Sequence, residues 1–213
     1  MTESAVLIAL ASVLSLIPLF SMPLGGSVTL VSSLPIIVIA YRRGFGAGAI
    51  AAFVFSLIQL LLGLENLSYA ADIWAMLAII FFDYVFPFTA LSFAAFFSPS
   101  EKKYAAYSIG RKQNSLCMLL ASLVPMVLRF LMHLVSGAVV WYSLTKEWYA
   151  DDPTHIVFKL SPWVYSIVYN ISYMLPETLI TVVAGVLLAY FLNVKSENLR
   201  FAPGQRLIKK KEA

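Results

Sequence analysis

The chain has 213 residues, of which 61% are hydrophobic and only 12% are charged. Its mean hydropathy is +0.84. A soluble core of this size has no use for so much apolar surface, so lipid is the solvent for most of the chain. The apolar runs are long and continuous, which excludes a transmembrane β-barrel with its short alternating strands. We therefore predict an all-α, polytopic membrane protein that forms one integral-membrane domain over residues 1–213.

Six apolar segments predict a bundle of six transmembrane helices, since a crossing needs about 20 mainly apolar residues. A tight turn at Arg42-Arg43-Gly44 separates the second segment from the third. The first segment is expected to be a retained helix rather than a signal peptide, because no basic residue precedes it and no small-residue cleavage site follows. The predicted helices span approximately 5–20, 28–41, 45–62, 73–97, 114–138 and 163–192.

The basic residues indicate how the chain is oriented. With the N-terminus in the cytoplasm, twelve Lys and Arg residues fall on the cytoplasmic side, and only Lys146 and Lys159 fall outside. This distribution follows the positive-inside rule and puts both termini in the cytoplasm. The basic tail over residues 195–213 is expected to lie beside anionic lipid, so the net charge of +4 does not require a nucleic-acid partner.

Arg129 and His133 interrupt the fifth apolar segment, one helical turn apart and on the same face. A charged side chain in the middle of a membrane helix costs about 2.5–3.5 kcal/mol on insertion scales, so by default it faces a polar interior and marks function. Asp83 and Glu177 are the acids within the apolar segments. We predict that Arg129 is a structural charge clamp paired with Asp83 or with Glu177, and the second pairing leaves Asp83 free to favour a cation.

The depths of these residues predict a pocket that is open to the outside. Counted from the outer ends of the predicted helices at about 1.5 Å of rise per residue, most of these polar residues fall in the outer half of the membrane. A channel would instead need polar residues along its whole length. Aromatic faces beside carboxylates suit a flat, cationic or heteroaromatic ligand, and amide and phenol groups can read its edges. The accompanying amide and aromatic residues are Asn170, Tyr84, Trp141, Tyr165 and Tyr169.

Sequence patterns typical of enzymes are missing. There is no P-loop, the glycines at Gly44, Gly46 and Gly48 lack the spacing of a dinucleotide loop, and the two histidines form no zinc motif. His133 with Asp83 or Glu177 is a possible base and orienting acid, but no serine or cysteine nucleophile accompanies them in an evident site. We predict a protein that is not an enzyme and that needs neither a cofactor nor a metal.

Small residues recur every four positions in two places, which allows helices to approach closely in lipid. One series is Gly44, Gly48 and Ala52, and the other is Ala5 and Ala9 in the first predicted helix. The spacing favours neither folding nor partner docking for Ala5 and Ala9.

Four stretches in register resemble the thiamine-specific substrate-binding S-component of energy-coupling factor (ECF) transporters, and the resemblance covers nearly the whole chain. They are Leu34-Pro-Ile-Ile-Val-Ile-Ala-Tyr-Arg-Arg-Gly44, Asp83-Tyr84, Arg129-x-x-x-His133-x-x-x-Gly137-x-x-x-Trp141 and Tyr165-Ser-x-x-Tyr-Asn170-x-x-Tyr-Met-Leu-Pro-Glu177.

The resemblance implies a six-helix S-component that binds thiamine from the outside and associates with a transmembrane coupling subunit and two ABC ATPases. Such subunits are thought to topple in the membrane to release the vitamin inside. By the same resemblance, Trp141 stacks on a thiamine ring, His133 lies by the thiazolium, and Asp83 and Asn170 bond to the aminopyrimidine. Ala5 and Ala9 match the motif that docks on the coupling subunit. The positions that match the family's binding site are Asp83, Tyr84, His133, Trp141, Tyr165 and Asn170.

Two departures from the family pattern bear on the ligand. Residues 21–29 contain no aromatic where the family can place a tryptophan over the thiazolium, so Met22 or an outer-loop tryptophan is expected to substitute. The acid is Asp83, whereas some members carry the longer Glu. The alternatives are an S-component for another vitamin or for a thiamine precursor, and a membrane scaffold in which the polar cluster only holds helices together.

Overall fold

A computed structural model of the chain describes residues 2–22, 26–99, 111–192 and 194–195. This part of the chain is a helical bundle with a small antiparallel sheet of two strands. Among the described residues, four helices are long and apolar enough to cross a membrane, and the first helix is shorter but also apolar. These findings confirm the prediction of a helical protein with several apolar helices. The predicted basic tail lies outside the described residues except for its first position, Lys195.

Within these ranges, five helices and two strands follow one another, and α3 and α4 are each built from successive helical segments. The elements are α1 (Thr2–Ser15), β1 (Pro18–Ser21), β2 (Ser27–Thr29), α2 (Leu34–Leu62), α3 (Ile73–Ile79, π-helical Ile80–Val85, Phe86–Thr89 and 3₁₀ Ala90–Phe97), α4 (Arg111–Ser136, π-helical Gly137–Trp141 and Tyr142–Trp148) and α5 (Pro162–Phe191), with 3₁₀ turns at Leu64–Tyr69 and Ile156–Phe158.

The predicted helices at 5–20 and 28–41 are both too long, because a β-hairpin occupies the chain between α1 and α2. α1 ends at Ser15, and the strands β1 and β2 then pair antiparallel, with Pro18 opposite Thr29. A proline disfavours helix at the residue before it and lacks an N–H group, which accounts for the end of α1. Pro35 lies in the first turn of α2, where its missing N–H has no helical acceptor.

α2 reverses direction at Gly44, where the predicted turn between the second and third segments lies. Gly44 has φ 83° and ψ 177°, a conformation that is essentially restricted to glycine. A Cβ atom on Gly48 would lie 2.7 Å from the Cα of Ala40. Eight residues along a continuous helix span about 12 Å, so the two arms of α2 fold back on each other. Gly48 and the fully buried Ala52 therefore serve folding.

Replacing Gly44 with Ala is expected to destabilise the protein by about 1–3 kcal/mol, because the Cβ atom strains this backbone conformation. Gly46→Ala is the matched control, since Gly46 has no positive φ and a Cβ atom there meets nothing within 4 Å. Thermal melting in detergent measures both variants. A melting temperature of Gly44→Ala equal to that of Gly46→Ala would contradict the strained turn.

The later predicted helices agree with the structure at most of their ends. The segment predicted at 73–97 is Ile73–Phe97, and the one predicted at 163–192 is Pro162–Phe191. Asp72 caps the start of α3, where its side chain accepts a hydrogen bond from the backbone N–H of Ala75 at 2.7 Å. The prediction of 114–138 stops too early, because α4 continues past the apolar run and through Trp141 to Trp148.

Polar contacts gather the N-terminus of α1, the Gly44 turn, the start of α4 and the end of α5 at one end of the bundle. Glu3 pairs with Arg42 and with Arg43 at 2.7 and 2.6 Å. The Arg42 guanidinium also donates to the carbonyl of Val194. Asn114 donates to the carbonyls of Ala189 and Leu192 at 2.5 and 3.2 Å. We call this the Arg42 end of the bundle.

Candidate functional site

A cavity of about 240 Å³ lies away from the Arg42 end, among α2, α3, α4, α5 and the β-hairpin. Residues of the turn after α2, including Glu65 and Asn66, contribute to its lining, as do Ser15 and Gln59. Its volume restricts an occupant to a small molecule. The structure brings all six residues predicted to bind the ligand to this one cavity: Asp83, Tyr84, His133, Trp141, Tyr165 and Asn170.

The Asp83 carboxylate accepts hydrogen bonds from two α4 side chains and contacts a third. Its Oδ2 accepts from Ser136 Oγ at 2.7 Å and from the Trp141 indole Nε1 at 2.8 Å. Its Oδ1 lies 3.2 Å from His133 Nδ1. Asp83 therefore orients the imidazole and the indole at the cavity wall, in addition to bringing negative charge to it.

Both Asp83 and Trp141 lie on π-helical turns. Phe86 bonds back five residues to the carbonyl of Phe81, and Tyr142 bonds in the same way to Gly137. In α3 the wide turn precedes Pro87, which has no N–H for the carbonyl of Asp83 four residues earlier. π-Helical turns inside α-helices occur frequently at functional sites.

Asn170 joins α5 to α4 and has little hydrogen-bonding capacity left for a ligand. Its amide Nδ2 donates to the carbonyls of Ser166 and His133 at 2.9 and 3.3 Å, and its Oδ1 accepts from the Tyr173 hydroxyl at 2.7 Å. The helices meet closely here, since a Cβ atom on Gly137 would lie 2.3 Å from Ser166 Oγ.

The two tyrosines predicted at the site use their hydroxyl groups within the protein. The Tyr84 hydroxyl accepts from Asn66 Nδ2 at 2.8 Å and donates to the carbonyl of Gly63 at 3.0 Å. The Tyr165 hydroxyl bonds to Thr145 Oγ1 at 3.2 Å. Their rings therefore form fixed aromatic walls of the cavity.

Arg129 makes no direct ion pair with either of the two acids predicted to pair with it. Within the described ranges, no carboxylate oxygen lies within 4.0 Å of an Arg129 nitrogen. Its Nη1 donates to Ser33 Oγ at 3.0 Å, and its guanidinium lies 4.5 Å from the centre of the Phe88 ring. Asp83 instead accepts hydrogen bonds from α4 side chains, and Glu177 accepts them from Thr29. Arg129 is 8% exposed and lines the cavity.

Glu177 holds the β-hairpin on α5. It is 1% exposed, and its two carboxylate oxygens accept from the backbone N–H and the hydroxyl of Thr29 at 2.6 and 2.9 Å. Gly26 adds to this contact, since a Cβ atom there would lie 2.8 Å from the Tyr173 ring. The hairpin thereby supplies Gly26, Ser27 and Thr29 to the cavity lining.

The aromatic that the sequence lacks in residues 21–29 has no direct replacement from the hairpin. Met22 contacts Ser172 at 3.8 Å and is not part of the cavity lining. Tyr69, from the turn after α2, packs edge-on against Trp141 with ring centroids 6.4 Å apart, and also against Trp148 at 5.1 Å. Trp148, which was predicted to lie in an outer loop and is the last residue of α4, therefore supports Trp141 indirectly, through Tyr69.

Several lining or supporting residues were not predicted. Tyr173 continues the four-residue spacing of Tyr165 and Tyr169, and consecutive rings in this series lie 6.2 and 5.9 Å apart. The four-residue spacing could therefore have predicted that Tyr173 lies on the same face of α5 as the other two tyrosines. Ser136, Thr29 and Gln59 carried none, since single polar residues of these types are common in membrane helices and loops.

Comparisons with known proteins agree with this fold. A sequence profile of the family described as thiamine transporter protein (Thia_YuaJ) matches residues 1–197. The thiamine transporter ThiT of Bacillus subtilis (strain 168) is 30% identical over 188 residues, which cover 87% of this chain and 88% of that protein. A solved structure of ThiT from Listeria monocytogenes superposes with a TM-score of 0.66 at 24% identity, covering 88% of this chain and 91% of the other. The chain therefore belongs to the thiamine transporter protein family.

Proposed function

We propose that this chain is the thiamine-binding S-component of an ECF-type vitamin importer, which captures thiamine outside the cell and delivers it through a coupling subunit driven by two ABC ATPases. The family is one of transport proteins, in agreement with the prediction that the chain is not an enzyme. The observation that carries the proposal is that Asp83 lines the same cavity as His133, Trp141, Tyr84 and Tyr165.

The chemistry of this cavity fits a cationic heteroaromatic ligand. Its Asp83 carboxylate lies beside the indole of Trp141, and the rings of Tyr165 and Tyr169 stack 6.2 Å apart along α5. Carboxylate charge and aromatic faces both favour a flat cation once water is excluded. The thiazolium of thiamine is such a cation, and its aminopyrimidine offers a second flat ring. Glu65 adds a further acid to the lining, from the turn after α2.

We infer six membrane crossings with both termini in the cytoplasm. The two arms of α2 count as separate crossings because the chain reverses at Gly44, and α1, α3, α4 and α5 supply the other four. The Arg42 end then faces the cytoplasm, in keeping with the excess of basic residues there. The cavity consequently faces the outside, where free vitamin is captured.

The exposed face of α1, which points away from the rest of the bundle, is a suitable docking surface for the coupling subunit. Ala5 and Ala9 are both exposed, so they are not used in packing within the chain. Val6 and Val13 on the same helix are 61% and 56% exposed. Small residues every four positions allow a partner helix to approach closely. This supports the docking alternative for Ala5 and Ala9 over the folding one.

Thiamine titration of the purified protein tests the proposal, and Trp141→Ala is expected to weaken binding at least tenfold, or about 1.4 kcal/mol. Intrinsic tryptophan fluorescence should be quenched by thiamine in the wild type. Trp141→Phe is the matched control, because it keeps an aromatic face and loses only the hydrogen bond to Asp83, and it should lose less affinity. Tighter binding of riboflavin, biotin or the isolated pyrimidine half would assign the site to another vitamin or a precursor. Absence of binding by all of them would favour a scaffold.

A further inference from the structure

The cavity has a deep end, and Arg129 lies there. Trp141, Gly137, His133 and Arg129 follow one another at four-residue intervals along α4, and all four line the cavity. At about 1.5 Å of rise per residue, Arg129 lies about 6 Å beyond His133 toward the Arg42 end. A ligand held by Asp83, His133 and Trp141 therefore has Arg129 below it.

Arg129 has unused hydrogen-bond donors. A guanidinium carries five N–H groups and no acceptor. Its one hydrogen bond to the described residues runs from Nη1 to Ser33 Oγ, and the buried Nε has no acceptor there. Phe88 covers one face of the group without supplying an acceptor. A buried cation with unsatisfied donors is costly at membrane depth.

No carboxylate oxygen of the described residues lies within 4.0 Å of an Arg129 nitrogen. Asp83 is held by Ser136 and Trp141, and both oxygens of Glu177 are used by Thr29. The donors of Arg129 are therefore left for an oxygen of the bound molecule. An oxygen acceptor at this position would also separate the guanidinium from a cationic ring held higher in the cavity.

We propose that Arg129 donates to an oxygen in the tail of the ligand, so that the deep end of the cavity selects molecules whose tail ends in a hydroxyl or a phosphate. This inference rests on the proposed function. In this proposal thiamine lies with its thiazolium beside His133 and its hydroxyethyl tail toward Arg129, and a monophosphate on that tail would present the same kind of acceptor with added negative charge. Hydrogen bonds from a charged donor are the stronger ones, which makes Arg129 a specificity-determining residue.

The test compares three ligands on the purified full-length protein by calorimetric titration: thiamine, thiamine monophosphate, and an analogue whose tail is ethyl in place of hydroxyethyl. In the wild type, the ethyl analogue is expected to bind at least tenfold more weakly than the tighter of the other two. In Arg129→Met, the ratio between the affinity for that tighter ligand and the affinity for the ethyl analogue should fall below threefold. Whether thiamine or its monophosphate binds more tightly decides between a hydroxyl and a phosphate tail.

Ser33→Ala is the matched control, because it removes the protein partner of Arg129 while leaving the donors in place, and the preference should change less than threefold. If Arg129→Met does not fold, Arg129→Lys replaces it. Its single ammonium lacks the guanidinium fork, and the preference should still fall at least threefold. Equal binding of all three ligands to the wild type, or a preference that persists without Arg129, overturns this inference alone. Failure of all three to bind overturns the proposed function as well.

Discussion

Asp83→Ala is expected to lower the affinity for thiamine at least 100-fold, or about 2.7 kcal/mol. The substitution removes the negative charge that favours a cationic ring. It also leaves the Trp141 indole N–H and the Ser136 hydroxyl without their acceptor and frees the His133 ring. Buried donors without an acceptor cost about 1–3 kcal/mol each, so the cavity wall should rearrange. Isothermal titration calorimetry measures the affinity independently of tryptophan fluorescence.

Two variants separate the charge of Asp83 from its positioning role. Asp83→Asn keeps a similar shape and one oxygen acceptor, so it tests mainly the charge, and we expect a loss of about tenfold. Ser136→Ala removes one donor and leaves the carboxylate in place, and we expect less than a threefold change. If Asp83→Ala retained wild-type affinity, the carboxylate would be neither the counter-charge nor the positioning group. Equal losses in the Asn and Ala variants would assign its effect to charge alone.

The convergence of the site residues was predictable from the sequence because hydropathy gives the depth of each residue in its helix. Asp83, His133 and Asn170 come from three different segments, yet similar depth and the polarity of their side chains predict a shared cavity. The depth of a side chain does not tell which group it forms hydrogen bonds with. Asn170 was expected to bond to the ligand, but its amide is used by Ser166, the His133 carbonyl and Tyr173.

The misplaced helix ends have local causes that hydropathy does not detect. Residues 18–20 and 28–29 were predicted as helix, but they lie in the paired strands β1 and β2, and β2 is held by Glu177, which is distant in sequence. The π-helical turns at Asp83 and Trp141 leave no mark in an apolar pattern. The turn at Gly44 was predictable, since the Arg-Arg-Gly sequence is both charged and flexible.

The partners of buried charges were the least predictable feature of the site. Arg129 was expected to form an ion pair with Asp83 or with Glu177, the two acids within the apolar segments. The structure instead gives Arg129 and Glu177 neutral polar partners from the segment around β2, at Thr29 and Ser33. A sequence pattern cannot reveal this, because hydroxyl and backbone groups satisfy a buried charge without any characteristic spacing.

Glu177→Leu is expected to destabilise the protein by about 2–4 kcal/mol and to weaken thiamine binding at least tenfold. The carboxylate makes two hydrogen bonds to Thr29, and hydrogen bonds to a charged group contribute about 1.5–3 kcal/mol each. The variant also no longer has the desolvation cost of a buried carboxylate. This gain offsets part of the loss, so the expected destabilisation is smaller than the sum of the two hydrogen-bond contributions. Without the carboxylate, β2 loses its attachment to α5, and Gly26, Ser27 and Thr29 leave the cavity wall. Thermal melting and calorimetric titration measure the two effects separately.

Thr29→Val is the matched control, because it removes the hydroxyl that bonds to Glu177 Oε1 and keeps the backbone N–H that bonds to Oε2. Its effects on melting and on affinity should be no more than half of those of Glu177→Leu. If Glu177→Leu melts lower but binds thiamine normally, the hairpin contributes to stability and not to the binding cavity. If the substitution leaves both quantities unchanged, the attachment of β2 to α5 does not depend on this carboxylate, and packing of Gly26 against the Tyr173 ring must hold the hairpin in place.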